Sequence, residues 1–178
     1  CPSSDAYQPP VAGTTSEKPT TDQEEGMATT PARSAAHGIL AEDKTAQRQK
    51  IVSMLQKAYW MEIETVMSYI ANSTNPDGVR AQEIVESLRE DIQEELGHAQ
   101  RFADRIKDLY GVVPGSLDFH PEQSYLQPPA EQTDIVHVIK GVIAAENAAI
   151  DYYNQIIVAT EGIDPVTNDM VIGILRDE

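Results

Sequence analysis

The chain has 178 residues, with 29 Asp and Glu against 13 Lys and Arg and a formal net charge of −16. A surface of that sign repels phosphate backbones and anionic headgroups, so nucleic acid is not an expected partner, while cations are attracted. One cysteine excludes an intrachain disulfide or a cysteine-built metal cluster, and no apolar run nears the ~20 residues that span a bilayer.

The length fits one domain with a substantial core. Residues 1–34 are rich in Pro, Ser, Thr and Gly and are expected to form a disordered tail or linker. A first residue of Cys1 fits a mature lipoprotein, a gene fragment, or a start misplaced ahead of Met27. The fragment reading is preferred because the other end also stops in mid-pattern. A cytoplasmic location is the expectation, with lipid anchoring through Cys1 as the alternative.

Apolar spacing predicts a first helix from about Glu42 to Asn72. Ile51, Leu55, Tyr59 (or Ala58), Val66 and Tyr69 form its buried stripe, and Glu62 takes the step between Tyr59 and Val66. Asn75-Pro76-Asp77-Gly78 stops it, and so short a link folds the next helix back antiparallel. That second helix is predicted from about Val79 to Tyr110, ended by Gly111. Its stripe runs through Ile84, Leu88, Ile92, Ala99, Phe102, Ile106 and Leu109, with Glu95 between Ile92 and Ala99. A carboxylate on a buried stripe has to be neutralised, paired or bound to a cation. His98 follows Glu95 by three residues, so both side chains leave nearly the same face and one metal ion can touch both.

Pro114, Pro121, Pro128 and Pro129 keep the next stretch, Val112 to about Gln132, from forming a helix. Its length lets it run along a bundle. Thr133 or Asp134 caps a third helix reaching about Thr160. This helix is apolar on most sides and is expected to be the most buried. Its stripe is read as Ile135, Ile139, Val142, Ala149, Tyr153 and Ile157, interrupted by Glu146. Asp164-Pro165 starts a fourth helix, with Val171 and Ile174 or Leu175 inward. Its next inward position is Glu178, the last residue, so the helix is expected to be incomplete. Short, long, short connections predict an all-α four-helix bundle with one crossover between helices 2 and 3.

The two halves repeat. Glu62 precedes Glu95 by 33 residues and Glu146 precedes Glu178 by 32; Tyr69 and Tyr153 each stand seven residues after the first glutamate of their half. Each half is a helical hairpin carrying one inward glutamate per helix. Four carboxylates and an imidazole suit iron or manganese, and dinuclear carboxylate bundles have this layout.

Glu62 with Tyr69, Glu95-Leu96-Gly97-His98, Glu146, and Ile174-Leu175-Arg176-Asp177-Glu178 resemble the bacterioferritin branch of the ferritin-like superfamily, over about Gln49 to Glu178. The resemblance implies a dinuclear iron ferroxidase centre: Glu62 and Glu146 as terminal ligands, Glu95 and Glu178 bridging, His98 on one iron. A second histidine would stand three residues past Glu178, so the centre is expected to be incomplete in this chain. It implies oxidation of Fe²⁺ by O₂ or H₂O₂ for iron storage, in a homo-oligomeric cage. Haem-binding members carry methionine where Leu96 stands, so haem is not expected; Met54, Met61 and Met67 are read as core fillers. Tyr69 resembles the family's tyrosine near the metals, which can supply an electron or hydrogen-bond a ligand. Tyr153 receives no role.

His37 and His120 are read as solvent-exposed and His137 as off the face of Glu146. Glu90 and Glu94 either guide Fe²⁺ inward or form a solvated face. Two rivals stand beside the ferroxidase: another di-iron or di-manganese enzyme (manganese catalase or a rubrerythrin-like peroxidase), and a metal-free helical scaffold. The scaffold would splay the glutamates outward or pair them with Arg or Lys.

Overall fold

The computed structural model describes residues 37–178; the expected tail, residues 1–34, and the readings of Cys1 and Met27 lie outside the described residues. Four helices appear in order, α1 (Thr45–Asn72), α2 (Gln82–Asp108), α3 (Ile135–Thr160) and α4 (Pro165–Asp177), with no strand among the described residues. This is the expected all-α four-helix bundle with a long crossover between α2 and α3. At the predicted starts of α1 and α2 the chain makes tighter 3-10 turns, Glu42–Lys44 and Val79–Ala81, before the α-helical ladder begins. None of the described helices is long and apolar enough to cross a membrane.

Local chemistry sets the ends. Asp134, rather than Thr133, caps α3: its carboxylate accepts from the His137 N–H at 3.0 Å. Asp164 caps α4 through the Thr167 N–H at 3.2 Å, with Pro165 opening the helix. α2 ends when Tyr110 turns to φ 62° and the Gly111 N–H bonds Ile106 O at 2.8 Å. A Cβ on Gly111 would lie 2.7 Å from Val52 Cγ1 and 2.9 Å from Ile106 O, so only glycine fits under α1 there.

Two apolar clusters fill the bundle. One gathers Ile51, Leu55, Phe102, Ile106, Tyr153, Ile156, Val171 and Ile174; the other gathers Tyr69, Leu88, Leu126, Val138 and Ala145. On α1, α2 and α3 the clusters lie to either side of positions 62, 95–98 and 146. The acids therefore occupy a polar layer between two dry ones. Of the alternatives left open by spacing, Ala58 is fully buried and Tyr59 only partly, and Ile174 is fully buried where Leu175 is not.

Two expectations need correcting. α3 is not the most buried helix: Val136, Ile139, Ile143 and Val158 are exposed. Its buried face is Val138, Gly141, Ala145, Ala149, Tyr153, Ile156 and Thr160, so Ile139 leaves the predicted stripe. The cause is the crossover. A Cβ on Gly141 would lie 2.9 Å from Tyr125 O, so small residues must face the crossing chain and the larger ones turn outward. Met54 and Met61 pack against the core as expected, but Met67 is 57% exposed.

Polar ties hold the crossover and α4 in place. The buried Glu64 carboxylate accepts from the backbone N–H groups of Glu122 and Gln123 at 2.8 and 2.7 Å, and Asn72 donates to Leu126 O at 2.9 Å. From α2, Arg105 grips Asp164 at 2.8 and 3.0 Å and Thr167 at 2.8 Å. Asp164 is 1% exposed. Arg105→Ala would leave that carboxylate buried without its counter-charge, held only by the Thr167 N–H and hydroxyl, so the variant should lose about 3–5 kcal/mol in a denaturant titration. A loss below about 1 kcal/mol would mark the pair as surface-like.

Candidate metal centre

Each helix delivers one acidic side chain to the polar layer: Glu62 from α1, Glu95 from α2, Glu146 from α3, and Glu178 at the end of α4. His98 joins Glu95 one turn along α2. Ligand atoms from Glu62, Glu95, His98 and Glu178 all lie within 4.8 Å of one another, a spacing one metal ion can span. His98 Nδ1 is 3.4 Å from Glu95 Oε2, 3.5 Å from Glu178 Oε1 and 3.8 Å from Glu62 Oε1. All four side chains are at most 8% exposed. Glu146 stands beside this foursome, half-buried and facing Glu178, and its Oε1 accepts from the Tyr69 hydroxyl at 2.6 Å.

Hydrogen bonding divides the cluster. Glu62 and Glu146 each hold a tyrosine hydroxyl, Glu146 that of Tyr69 and Glu62 that of Tyr153. Glu95 Oε2, His98 Nδ1 and Glu178 Oε1 are buried with no hydrogen-bond partner. Native cores rarely leave polar atoms unsatisfied, and three on one small volume call for a ligand that accepts lone pairs. A cation does so. The donor set, carboxylate oxygens with one imidazole nitrogen, is that of iron or manganese.

Acidities follow from this crowding. Burial, then the neighbouring Glu95 charge, pushes Glu62 well above the usual carboxylate range, with the Tyr153 hydroxyl pulling the other way. Glu146 is pushed up to about 7, by burial and then by Glu178, against the Tyr69 hydroxyl. Burial pulls the His98 imidazole down, but Glu178 and Glu95, with the Glu62 charge, outweigh it and raise it to about 10. Both tyrosines are raised, first by burial and then by the glutamates they bond. Protonation thus quiets the metal-free cluster, and a cation would displace those protons.

All five residues singled out from sequence as ligands, together with Tyr69, meet here. Tyr153 was given no role, yet it donates to Glu62. Asp177 was also missed: its Oδ2 lies 3.5 Å from His98 Nε2 and 3.7 Å from Arg101 Nη1. Asp91, one turn before Glu95, is raised by burial and then by Glu146 and Glu95; its spacing from Glu95 was the available signal. Glu90 and Glu94 are exposed, and Glu94 forms an outer group with His98 and Asp177. His37, His120 and His137 are exposed, and the His137 ring lies 3.1 Å from Gln127 O, outside the cluster. Leu96 faces a groove between α1 and α2, beside Tyr59 and Ile63.

Residues 52–178 match the ferritin-like domain family. A DNA protection during starvation protein from Pyrococcus furiosus is 28% identical over 135 residues, covering 73% of this chain and 71% of that protein. A bacterioferritin from Desulfovibrio desulfuricans is 25% identical over 142 residues, covering 66% of this chain and 79% of that protein. Among solved structures, a dodecameric thioferritin, the bacterioferritin-related protein of Bacteroides fragilis, superposes with a TM-score of 0.63 at 25% identity, covering 77% and 86%. A ferritin-like, diiron-carboxylate protein from Bacillus anthracis superposes with a TM-score of 0.61 at 17% identity, covering 74% and 86%. At that identity the last likeness is one of fold.

Proposed function

We propose, from the premise that the chain belongs to the ferritin-like domain family, that it is a ferroxidase. Its substrates would be two Fe²⁺ ions held among Glu62, Glu95, His98, Glu146 and Glu178. Glu62 and Glu146 are the outer ligands, Glu95 and Glu178 the bridging ones, and His98 supplies the nitrogen. Each Fe²⁺ gives up one electron; the pair reduces O₂ to H₂O₂, or H₂O₂ to two waters, with two protons consumed either way. The observation that carries this reading is the set of three unpartnered buried atoms on Glu95, His98 and Glu178. The metal-free scaffold reading loses its support. Among the described residues no Arg or Lys lies within ion-pair distance of the four glutamates, and they converge rather than splay.

Storage would follow if the oxidised iron collects inside a closed homo-oligomer, which the bacterioferritin and thioferritin relatives make the natural assembly to look for. Manganese is the alternative metal, since the donor set accepts either ion. Anaerobic Fe²⁺ titration of a chain extended to the histidine expected three residues past Glu178, followed by O₂, tests the reading. About two Fe²⁺ per chain should be oxidised in a fast phase, because two ions fill a carboxylate centre of this type. Slow oxidation indistinguishable from that of Fe²⁺ in buffer would defeat it.

A further inference from the structure

Of the eight acids on α2, six are exposed and Glu95 is buried; Asp91 alone is half-buried. It stands four residues before Glu95, and His98 stands three after, so the three side chains leave within about 60° of one helical face. Helical side chains lean toward the N-terminus of their helix. His98 therefore reaches back to the level of Glu95, and Glu95 to the level of Asp91. The first of these meetings is made, with His98 Nδ1 3.4 Å from Glu95 Oε2.

The surroundings divide in the same way. On the His98 side stands Glu62, its Oε1 3.8 Å from Nδ1. On the Asp91 side stands Glu146. After burial, the charge that weighs most on Asp91 is that of Glu146, ahead of Glu95, and the charge of Asp91 reaches Tyr69, the tyrosine bonded to Glu146. Among the described residues no Lys or Arg lies within ion-pair distance of Asp91. The tight foursome of Glu62, Glu95, His98 and Glu178 spans one ion and leaves Glu146 out, so a second ion belongs on the side of Glu146. Glu95 and Glu178 each offer a buried oxygen with no partner, and Glu178 faces both His98 and Glu146.

Resting on the ferroxidase reading, we infer that Asp91 is a further ligand of the metal centre: with Glu146 it holds the ion on that side, as His98 with Glu62 holds the ion on the other. α2 then brackets its bridging glutamate with one ligand a turn to either side. An aspartate oxygen is a hard donor suited to Fe²⁺ or Mn²⁺. A half-buried acid that merely adds negative potential behaves differently, because it attracts both ions through space and is screened by salt. A ligand acts on one ion.

Co²⁺ binding to the extended chain separates the two, since visible absorption reports coordination without turnover. Wild type should take up two Co²⁺ per chain. Asp91→Ala should weaken one of them by at least about tenfold, the least that loss of even an outer partner of a ligand usually costs, and leave the other and its nitrogen-ligated bands nearly unchanged. Glu90→Ala, which removes the same charge from an exposed neighbour, should leave both nearly unchanged. Equal weakening of the two ions in Asp91→Ala, or of neither, would overturn the role of Asp91 while leaving the ferroxidase reading standing. Uptake of fewer than two Co²⁺ by wild type would remove both. A second measurement does not depend on a variant: in Co²⁺-loaded crystals of wild type, anomalous scattering should place the Asp91 carboxylate on the ion it shares with Glu146. An Asp91 carboxylate turned to solvent beside an occupied site would sink the inference.

Discussion

Glu95→Ala should abolish the fast phase of Fe²⁺ oxidation, a loss on the order of 100-fold or more, whereas Glu94→Ala should change it less than about twofold. The two glutamates are adjacent in sequence, and one step along an α-helix turns a side chain by about 100°. That rotation separates a carboxylate 3.4 Å from His98 Nδ1 from one in solvent. A general attraction of the negative surface for cations would be weakened almost equally by either change. The centre would feel only the first. Stopped-flow oxidation at saturating Fe²⁺ separates the cases, because lost steering appears in the dependence on Fe²⁺ and lost ligation in the rate at saturation. Equal losses in both variants would transfer the activity from the centre to the surface. Glu95→Ala should also leave the metal-free chain at least as stable as wild type, since it removes one of four crowded acids. Improved apo stability with lost oxidation is the signature of a strained functional site.

Much of this was readable in the sequence where one face of a helix differs sharply from the other. α2 is such a helix. Its apolar stripe is interrupted at one buried acid, and Leu88, Glu95, Ala99, Phe102 and Ile106 all face inward as their spacing predicts. α3 was harder for a physical reason. It is apolar on most sides, so hydrophobicity does not choose between faces. The choice is made by the crossover pressing on Gly141, a contact between segments that no local pattern records. The register drawn from sequence is accordingly about one residue off in the first half of α3 and agrees at Ala149 and Tyr153. The crossed tyrosines were hidden for a similar reason. Spacing relates Tyr153 to Glu146 on its own helix, while its hydroxyl meets Glu62 on another. Arg105 with Asp164 and Glu64 with the crossover amides are likewise partnerships between distant segments. Sequence periodicity reports which residues go inside, and it is silent on whom they meet there.

Stability should run in opposite directions with pH in the metal-free and metal-loaded protein. In the metal-free chain Glu62 is raised well above the usual range, Glu146 to about 7 and His98 to about 10. An unfolded chain releases these protons near about 4.3 for Glu and about 6.5 for His. Between the unfolded and folded values the native state holds more protons than the unfolded state, so stability falls as pH rises. The contribution of the glutamates is fully present below about pH 4.3 and is lost as pH climbs through about 7 for Glu146. That of His98 is present below about pH 6.5 and is lost through about 10. A bound cation reverses the sign, because it requires the carboxylates ionised and the imidazole neutral, so its affinity grows with pH and adds to stability through mass action. Thermal midpoints between about pH 5 and about pH 8, with chelator and with excess Zn²⁺, should therefore diverge, falling in the first series and rising in the second. Surface repulsion in a chain of net charge −16 also favours the falling trend. Glu146→Gln separates the two causes. It barely changes the surface yet removes the titrating group raised to about 7, so the metal-free slope should flatten if the centre is responsible. Parallel slopes with and without Zn²⁺ would mean that the glutamates never exchange their protons for a cation, and the metal reading would go with them.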